Sequence, residues 1–199
     1  MALEKPTPLP FPEAEGAENP LQPQQDDLVV TFAEQFTALQ GKFIFCVDEQ
    51  EFVTAFEKLC YQNQWTKIYC EEEKLRYTIQ PNVLHNDIVT CEASVTSCES
   101  LVARTGSIIL SASHQGRIPS VYAPVHVCVA YTSQLVYDIK DGLDAVTNKY
   151  QQSLPSMITL ATGPSRTADI EKTLVVGVHG PKEVYCFVIE SPLSPEAGN

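Results

Sequence analysis

The chain has few basic residues and no long apolar run, and these two absences exclude whole classes of partner. Its 199 residues include 13 lysines and arginines against 25 aspartates and glutamates, a formal net charge of −12. Nucleic-acid backbones and anionic membranes require a basic face, so neither is expected as the main partner. No segment is long and apolar enough to span a bilayer, and the first residues lack the basic start and apolar run of a signal peptide. We therefore expect a cytoplasmic protein.

The usual sequence signatures of nucleotide, ester and peptide chemistry are also missing. No GxGxxG opens a helix, and there is no Walker loop, GxSxG elbow or HExxH pair. The seven cysteines include no CxxC or other close ligand pair, so we expect no cofactor or metal in this chain alone. An odd number of cysteines scattered along the chain is typical of buried thiols in a reducing compartment. Cys91 and Cys98 stay open as a reactive thiol or metal ligand, although carboxylates beside them would raise a thiol pKa.

The N-terminal segment differs in composition from the rest. Residues 1–30 hold six acids against one lysine, and six of the 14 prolines lie there. Such a segment cannot bury enough apolar surface to offset its ordering entropy. We predict that residues 1–25 form an extended or disordered arm, with docking on a neighbouring subunit as the alternative. Residues 26–191 are predicted to form one domain, and residues 192–199 a tail.

Apolar periodicity predicts an α/β domain with a mainly parallel sheet and helices on both faces. A helical stripe over 28–39, a buried strand over 43–47, a helix capped by Asp48 and a short strand over 66–70 form a βαβ unit. Ligands of such sheets bind outside the carboxyl ends of the strands, where we expect the site. Further strands are predicted over 87–90, 107–112, 126–131, 157–162 and 183–189, and helices over 133–150 and 165–176.

The strongest candidate site is the turn after the strand predicted over 157–162. A strand that turns into a helix at Gly163-Pro164-Ser165 would aim unpaired backbone N–H groups and the helix dipole at one point, where an anion binds. Arg166 adds a guanidinium that suits carboxylate or phosphate, and Ser165 and Thr167 are suitable caps. The alternative is an ordinary capped helix with a surface arginine.

Two of the four histidines are candidates for proton transfer. His126 stands at the head of an apolar strand, and His179 lies in GVHGP at residues 177–181. Each is a candidate acid, base or hydrogen-bond donor to a carboxylate, and the alternative for each is a structural role. The four histidines are too dispersed to predict a metal site.

These segments together resemble the LUD-domain family, the family of LutC-type lactate utilization proteins. The resemblance is carried by GPSRTADIE at 163–171, GVHGP at 177–181, Thr105-Gly106-Ser107 and Pro124-Val125-His126, and it is close over about residues 85–190. It implies a fold like that of the sugar-phosphate isomerase and CoA-transferase (NagB/RpiA-like) superfamily. It also implies a role beside iron–sulfur partner proteins in oxidising L-lactate to pyruvate, with those clusters held by the partners.

One residue departs from the family pattern. Members commonly read Ala-Glu-Thr-Gly where this chain has Ala103-Arg104-Thr105-Gly106, so a mechanism that rests on that glutamate fails here. Arg104 supplies a second cation opposite Arg166 or faces solvent. The Thr105-Gly106-Ser107 turn is still a candidate ligand contact, because glycine lets a backbone approach a ligand closely.

Three functional hypotheses remain. The first is a component of an L-lactate oxidation system that binds a small anion, a carboxylate or a phosphorylated compound, or an iron–sulfur partner protein. The second is a stand-alone enzyme of the CoA-transferase or formyltetrahydrofolate cyclo-ligase kind that uses the same pocket. The third is a non-catalytic assembly subunit.

Overall fold

The part of the chain that the structure describes contains five α-helices and twelve strands. This computed structural model describes residues 27–79, 82–113, 118–168, 174–176 and 180–191, and the predicted arm 1–25 and tail 192–199 lie outside them. The helices are α1 Leu28–Ala38, α2 Glu49–Asn63, α3 Glu73–Thr78, α4 Pro119–Tyr122 and α5 Ile139–Tyr150. The strands are β1 Lys42–Cys46, β2 Ile68–Tyr69, β3 Leu84–His85, β4 Ala93–Ser97, β5 Ser100–Val102, β6 Ser107–Ser111, β7 Val125–Tyr131, β8 Leu135–Val136, β9 Ile158–Ala161, β10 Arg166–Ala168, β11 Leu174–Val176 and β12 Glu183–Ile189.

Six strands form a central parallel sheet in the order β1–β12–β7–β4–β2–β3. The inner strands β7 and β12 are buried along almost their whole length, because both faces of the sheet are covered. The prediction of a mainly parallel α/β sheet is confirmed. The predicted βαβ unit is also present, although three strands separate β1 from β2.

Helices cover both faces of the central sheet, as predicted. On one face α2 packs Phe52 and Phe56 against Phe187 of β12. On the other face α1 buries Phe32 and Phe36, whose rings stack with centroids 5.3 Å apart. None of the helices in the described ranges is long and apolar enough to cross a membrane.

A second sheet, which the sequence did not predict, lies on the α1 side. Its order is β8–β5–β6–β9, and β6 runs antiparallel to both β5 and β9. Ile108 faces the core shared with α1, whereas Ile109 faces a smaller core with Val146 of α5. Because β6 is buried on both faces, its sequence reads as a continuous apolar run, the pattern of a parallel strand. The strands predicted over 107–112 and 157–162 are thus present as β6 and β9, but they belong to this mixed sheet and not to the central parallel one.

Two predicted helix starts have opposite outcomes. Asp48 caps α2 as predicted, because its carboxylate accepts the Glu51 N–H at 2.7 Å. The helix predicted over 133–150 begins six residues late, at Ile139, after a 3-10 turn and β8. Asp138 stops it from starting earlier, since its carboxylate caps α5 by accepting the Ile139 N–H at 2.6 Å.

Two predicted elements are wrong. Residues 87–90 form a turn, in which the Asp87 carboxylate accepts the Val89 N–H at 3.0 Å and so replaces a strand partner. Residues 165–176 were predicted as a helix, but β10 and β11 pair as antiparallel strands. The β-branched residues Val175 and Val176 favour strand over helix. No helix therefore begins at Ser165.

Candidate functional site

The Gly163-Pro164-Ser165 turn lies at the amino ends of β7 and β12, not at the carboxyl ends of the central strands as the sequence suggested. It lines a cavity together with His126 and Val184, the second residues of those two strands. The Ser165 N–H donates to the Pro181 carbonyl at 2.9 Å, which fixes the turn against the segment that leads into β12. We call this space the amino-edge cavity.

The amino-edge cavity has a volume of about 320 Å³ and carries no formal charge on its described walls. None of its described lining residues is Asp, Glu, Lys or Arg. Its apolar walls come from β6, α4, β9 and β12. Its polar side chains are one imidazole and four hydroxyls, those of His126, Ser120, Thr159, Thr162 and Ser165. Hydrogen bonds rather than ion pairs are therefore what these walls offer a ligand.

His126 is the most unusual residue of this cavity. Its side chain is 1% exposed, and its Nε2 lies 2.8 Å from the Thr96 hydroxyl. Its Nδ1 is the one buried side-chain nitrogen or oxygen without a hydrogen-bond partner in the part of the chain that the structure describes. Burial lowers the pKa of His126 to about 4, so the ring is neutral at pH 7.

Strand alternation explains how the sequence buries this imidazole. Val125, Val127 and Val129 face the α2 side of β7, so His126 and Cys128 face the other side. There His126 lies in register with Ser94 of β4 and Val184 of β12. An apolar strand with one histidine on its α1 face thus places a single neutral polar ring inside the core.

The Thr105-Gly106-Ser107 turn joins the same region through hydroxyl groups. The Thr105 hydroxyl donates to Ser107 Oγ at 2.8 Å, and Ser107 Oγ lies 2.9 Å from the Thr162 hydroxyl. Thr162 in turn lines the cavity. The structure therefore brings the two sequence motifs together through one chain of hydroxyls.

The glycines of both motifs approach helix α1. Gly106 has φ +61°, and a Cβ there would lie 2.5 Å from the Phe36 backbone nitrogen. Gly163 has φ +81°, and its Cβ would lie 2.6 Å from the Leu39 carbonyl oxygen. Positive φ and a helix backbone at contact distance both require glycine. The close approach expected for a ligand is made here to the C-terminal end of α1.

Arg166 has a described contact at the same end of α1. Its side chain is exposed, and its guanidinium donates to the carbonyl oxygen of Leu39, the residue that ends α1. No helix begins at this turn, because β10 begins at Arg166 and contains Thr167 as well. The role of Arg166 in pairing with an anion stays a prediction.

Arg104 neither faces Arg166 as a second cation nor lies free in solvent. Its guanidinium donates two hydrogen bonds to the Asp138 carboxylate, at 2.9 and 3.1 Å. Asp138 is also the N-cap of α5, and the hydrogen bonds from Arg104 hold its pKa below the usual range. The residue that departs from the family pattern thus ties the 3-10 turn over 103–105 to α5.

The remaining candidates have different outcomes. His179 lies outside the described residues. Cys91 and Cys98 are buried; burial is the main cause that raises the pKa of Cys91, and the Cys128 thiol is the main cause for Cys98. Both thiols therefore stay protonated near neutral pH. In the described ranges no three His, Cys, Asp or Glu side chains are grouped as metal ligands would be.

A second cleft, of about 330 Å³, lies at the opposite edge of the central sheet, and we call it the carboxyl-edge cleft. It is lined by the ends of β4, β7 and β12 and by α2 and α3. Both carboxylates that line it have partners: the Tyr131 hydroxyl donates to Glu49 at 2.6 Å, and the Ser97 N–H donates to Glu72 at 2.6 Å. Sequence reasoning missed these residues because nothing in their spacing marks them.

Comparison with known proteins gives matches in family and in fold. A family model described as the LUD domain matches residues 79–189. A lactate utilization protein C from Deinococcus radiodurans is 32% identical over 112 residues, 55% of this chain and 52% of that protein. One from Bacillus subtilis is 32% identical over 121 residues, 59% of this chain and 46% of that protein. The chain thus spans about half the length of the curated relatives it matches.

A solved structure supports the fold. The crystal structure of a DUF162 family protein from Deinococcus radiodurans superposes with a TM-score of 0.62, at 19% sequence identity. The match covers 81% of this chain and 96% of the other. At this identity the likeness concerns the fold alone.

Proposed function

Because the chain belongs to the LUD-domain family, we propose that it is a LutC-like component of a cytoplasmic system that oxidises L-lactate to pyruvate. One observation supports this above the others. Every described residue that lines the amino-edge cavity falls within 79–189, the segment that the family model matches. In this proposal the cavity binds the small carboxylic acid on which the system acts.

In this proposal the chain supplies binding and orientation. The neutral His126 imidazole accepts or donates a hydrogen bond at Nδ1, and the surrounding hydroxyls fix the ligand. The iron–sulfur clusters that carry the electrons are assigned to partner proteins, since the scattered cysteines have none of the usual cluster-ligand spacings.

Growth on L-lactate is the direct test. A strain in which this gene is deleted should grow on glucose but not on L-lactate, and the full-length gene should restore growth. Full growth of the deletion strain on L-lactate would refute the proposed function. The protein purified from lactate-grown cells should carry iron–sulfur proteins with it, whereas an unaccompanied protein would support a stand-alone enzyme.

Arg166 allows a sharper version of the same experiment. Arg166→Ala should fold but fail to support growth on L-lactate, and Arg166→Lys should restore growth only in part, because an ammonium cannot reproduce a two-pronged contact. Lys140→Ala is the control, since Lys140 forms an exposed ion pair with Asp144 on the surface of α5. Wild-type growth of the Arg166→Ala strain would refute the prediction that Arg166 pairs with an anion needed for this function.

A further inference from the structure

We call the part of the amino-edge cavity that adjoins the buried His126 its inner end, and this part is suited to an uncharged group. The described lining residues provide no cation there, and the nearest polar groups are neutral. Burying a carboxylate or phosphate against them would remove its hydration without supplying an opposite charge. A neutral oxygen loses far less hydration and gains a hydrogen bond.

His126 lines this cavity, and its Nδ1 has no hydrogen-bond partner among the described residues. Thr96, which is hydrogen-bonded to Nε2, does not line the cavity, so Nδ1 is the ring nitrogen that is left for a ligand. A buried donor or acceptor that stays unpaired is energetically unfavourable, so a ligand atom that pairs with it gains affinity.

We propose that the inner end of the amino-edge cavity binds the hydroxyl group of a small hydroxy acid through His126 Nδ1, with the acid's carboxylate directed toward the cavity mouth. The hydroxy-acid part of this statement rests on the proposed function, and the hydroxyl part rests on the cavity walls. The Thr96 hydroxyl either donates to Nε2 or accepts from it, and so leaves Nδ1 as donor or acceptor. A ligand hydroxyl pairs with either form, whereas a carboxylate only accepts.

Four probes separate the hydroxyl from the charge. L-Lactate has both groups, L-lactamide keeps the hydroxyl without the charge, propanoate keeps the charge without the hydroxyl, and inorganic phosphate is an anion of another class. Each is titrated at millimolar concentration into the full-length protein labelled with ¹⁵N in histidine, and the ring nitrogen signals are followed by NMR. The His126 signals are assigned by their loss in His126→Phe or, if that variant does not fold, by their neutral state at pH 5.

L-Lactate and L-lactamide are expected to shift the His126 Nδ1 signal and to bind at least about tenfold more tightly than propanoate, because the site is left with an unpaired nitrogen when the hydroxyl is missing. His85 is the internal reference, since its Nε2 lies 2.7 Å from the Thr90 hydroxyl and it does not line the cavity. The proposal is overturned if propanoate or phosphate shifts His126 equally, or if no probe shifts it.

The outcome is distinguishable from failure of the proposed function. If growth on L-lactate requires the gene but propanoate binds as well as L-lactate, the hydroxyl contact is wrong and the function stands. If L-lactamide and L-lactate bind at His126 but the deletion strain grows fully on L-lactate, the contact stands and the function is wrong.

Discussion

The two edges of the central sheet differ in how fully their polar groups are paired. At the carboxyl-edge cleft the Tyr131 hydroxyl, the Glu72 carboxylate and the Glu49 carboxylate all have partners within the protein. At the amino-edge cavity the buried His126 Nδ1 has none among the described residues. The general rule for parallel sheets favours the first edge, whereas the unpaired nitrogen favours the second.

The difference shows which observation decides the location of a ligand site. A topological rule describes where loops converge, and both edges of this sheet have a cavity of similar volume. A buried polar group without a partner shows which hydrogen bond the protein does not make by itself. The paired groups at the carboxyl edge stabilise the fold, and the amino edge is where a ligand would complete a hydrogen bond.

The largest expected effect is at the amino edge, on the turn that supports the cavity. Gly106→Ala should lower the free energy of unfolding by about 3 kcal/mol or more, because the added Cβ has a strained positive φ and meets the backbone of α1 at 2.5 Å. Urea denaturation measures the change. Gly142→Ala in α5 is the control, since its Cβ would meet side-chain atoms and no backbone, with the end of the Ile109 side chain, at 2.4 Å, as its one contact closer than 3 Å. Equal stability of the two variants would show that the turn does not press on α1.

The His126 imidazole should make stability depend on pH. Its pKa is near 6.5 in an unfolded chain and about 4 in the fold, so the folded protein binds fewer protons. The stability that the neutral His126 ring contributes is fully present above pH 6.5 and is lost as the pH falls through 4. The loss in the free energy of unfolding is about 3 kcal/mol in all. His126→Gln should remove this part of the pH dependence of unfolding. Val184→Ala, a neighbouring change in the cavity wall, should lower stability equally at pH 7 and pH 4.

An unchanged pH dependence in His126→Gln would mean that the imidazole is hydrated and not buried. That result would also weaken the contrast between the two edges, because an imidazole in contact with solvent needs no ligand to pair its Nδ1.

At the carboxyl edge, where Glu99 follows the end of β4 and pairs with Lys149 of the cleft wall, the expected effect is smaller and falls in a different pH range. The Glu99 side chain is 4% exposed; burial raises its pKa, but hydrogen bonds from Lys149, Ser111 and Tyr150 outweigh this and leave it lowered. Glu99→Gln should cost about 2 kcal/mol at pH 7, because Lys149 loses its carboxylate partner. The difference from wild type should vanish in acid, below the lowered pKa of Glu99, where the wild-type carboxyl is protonated too.

Chemical denaturation at pH 7 and at successively lower pH values measures this difference. Lys140→Ala, which breaks an exposed pair with Asp144, should leave stability unchanged at each of these pH values. A Glu99→Gln variant as stable as wild type at pH 7 would contradict a structural role for the paired groups of this edge.

The sequence predicts the central sheet better than the site. Long apolar runs such as 183–189 are recognisable because a strand buried on both faces cannot be polar. The same property hid the second sheet, since β6 is buried on both faces although its neighbours are antiparallel. Nothing in a single strand's sequence records the direction of its neighbours.

At the site, the sequence identifies residues but not their contacts. His126 and Gly163-Pro164-Ser165 do line one cavity, and Thr105-Gly106-Ser107 is linked to it by hydroxyls. The predicted helix behind Ser165 is wrong because capping residues also occur at strand ends, where Ser and Thr bond their own backbone. The contact of Arg166 with Leu39 joins residues 127 positions apart, which local patterns do not report.

The smallest expected effect concerns the N-terminal arm. Deletion of residues 1–25 should change the melting temperature by no more than about 2 °C, equivalent to about 1 kcal/mol or less, because an acidic, proline-rich segment buries little apolar surface. Differential scanning calorimetry of the full-length and shortened chains measures it. The pH dependence from His126 and the stability from Glu99 should both be unchanged, since each rests on contacts within residues 27–191. A much larger drop in melting temperature would instead mean that the arm packs on the domain or on a neighbouring subunit. Loss of the His126 contribution alone would mean that the arm packs at the amino edge of the central sheet.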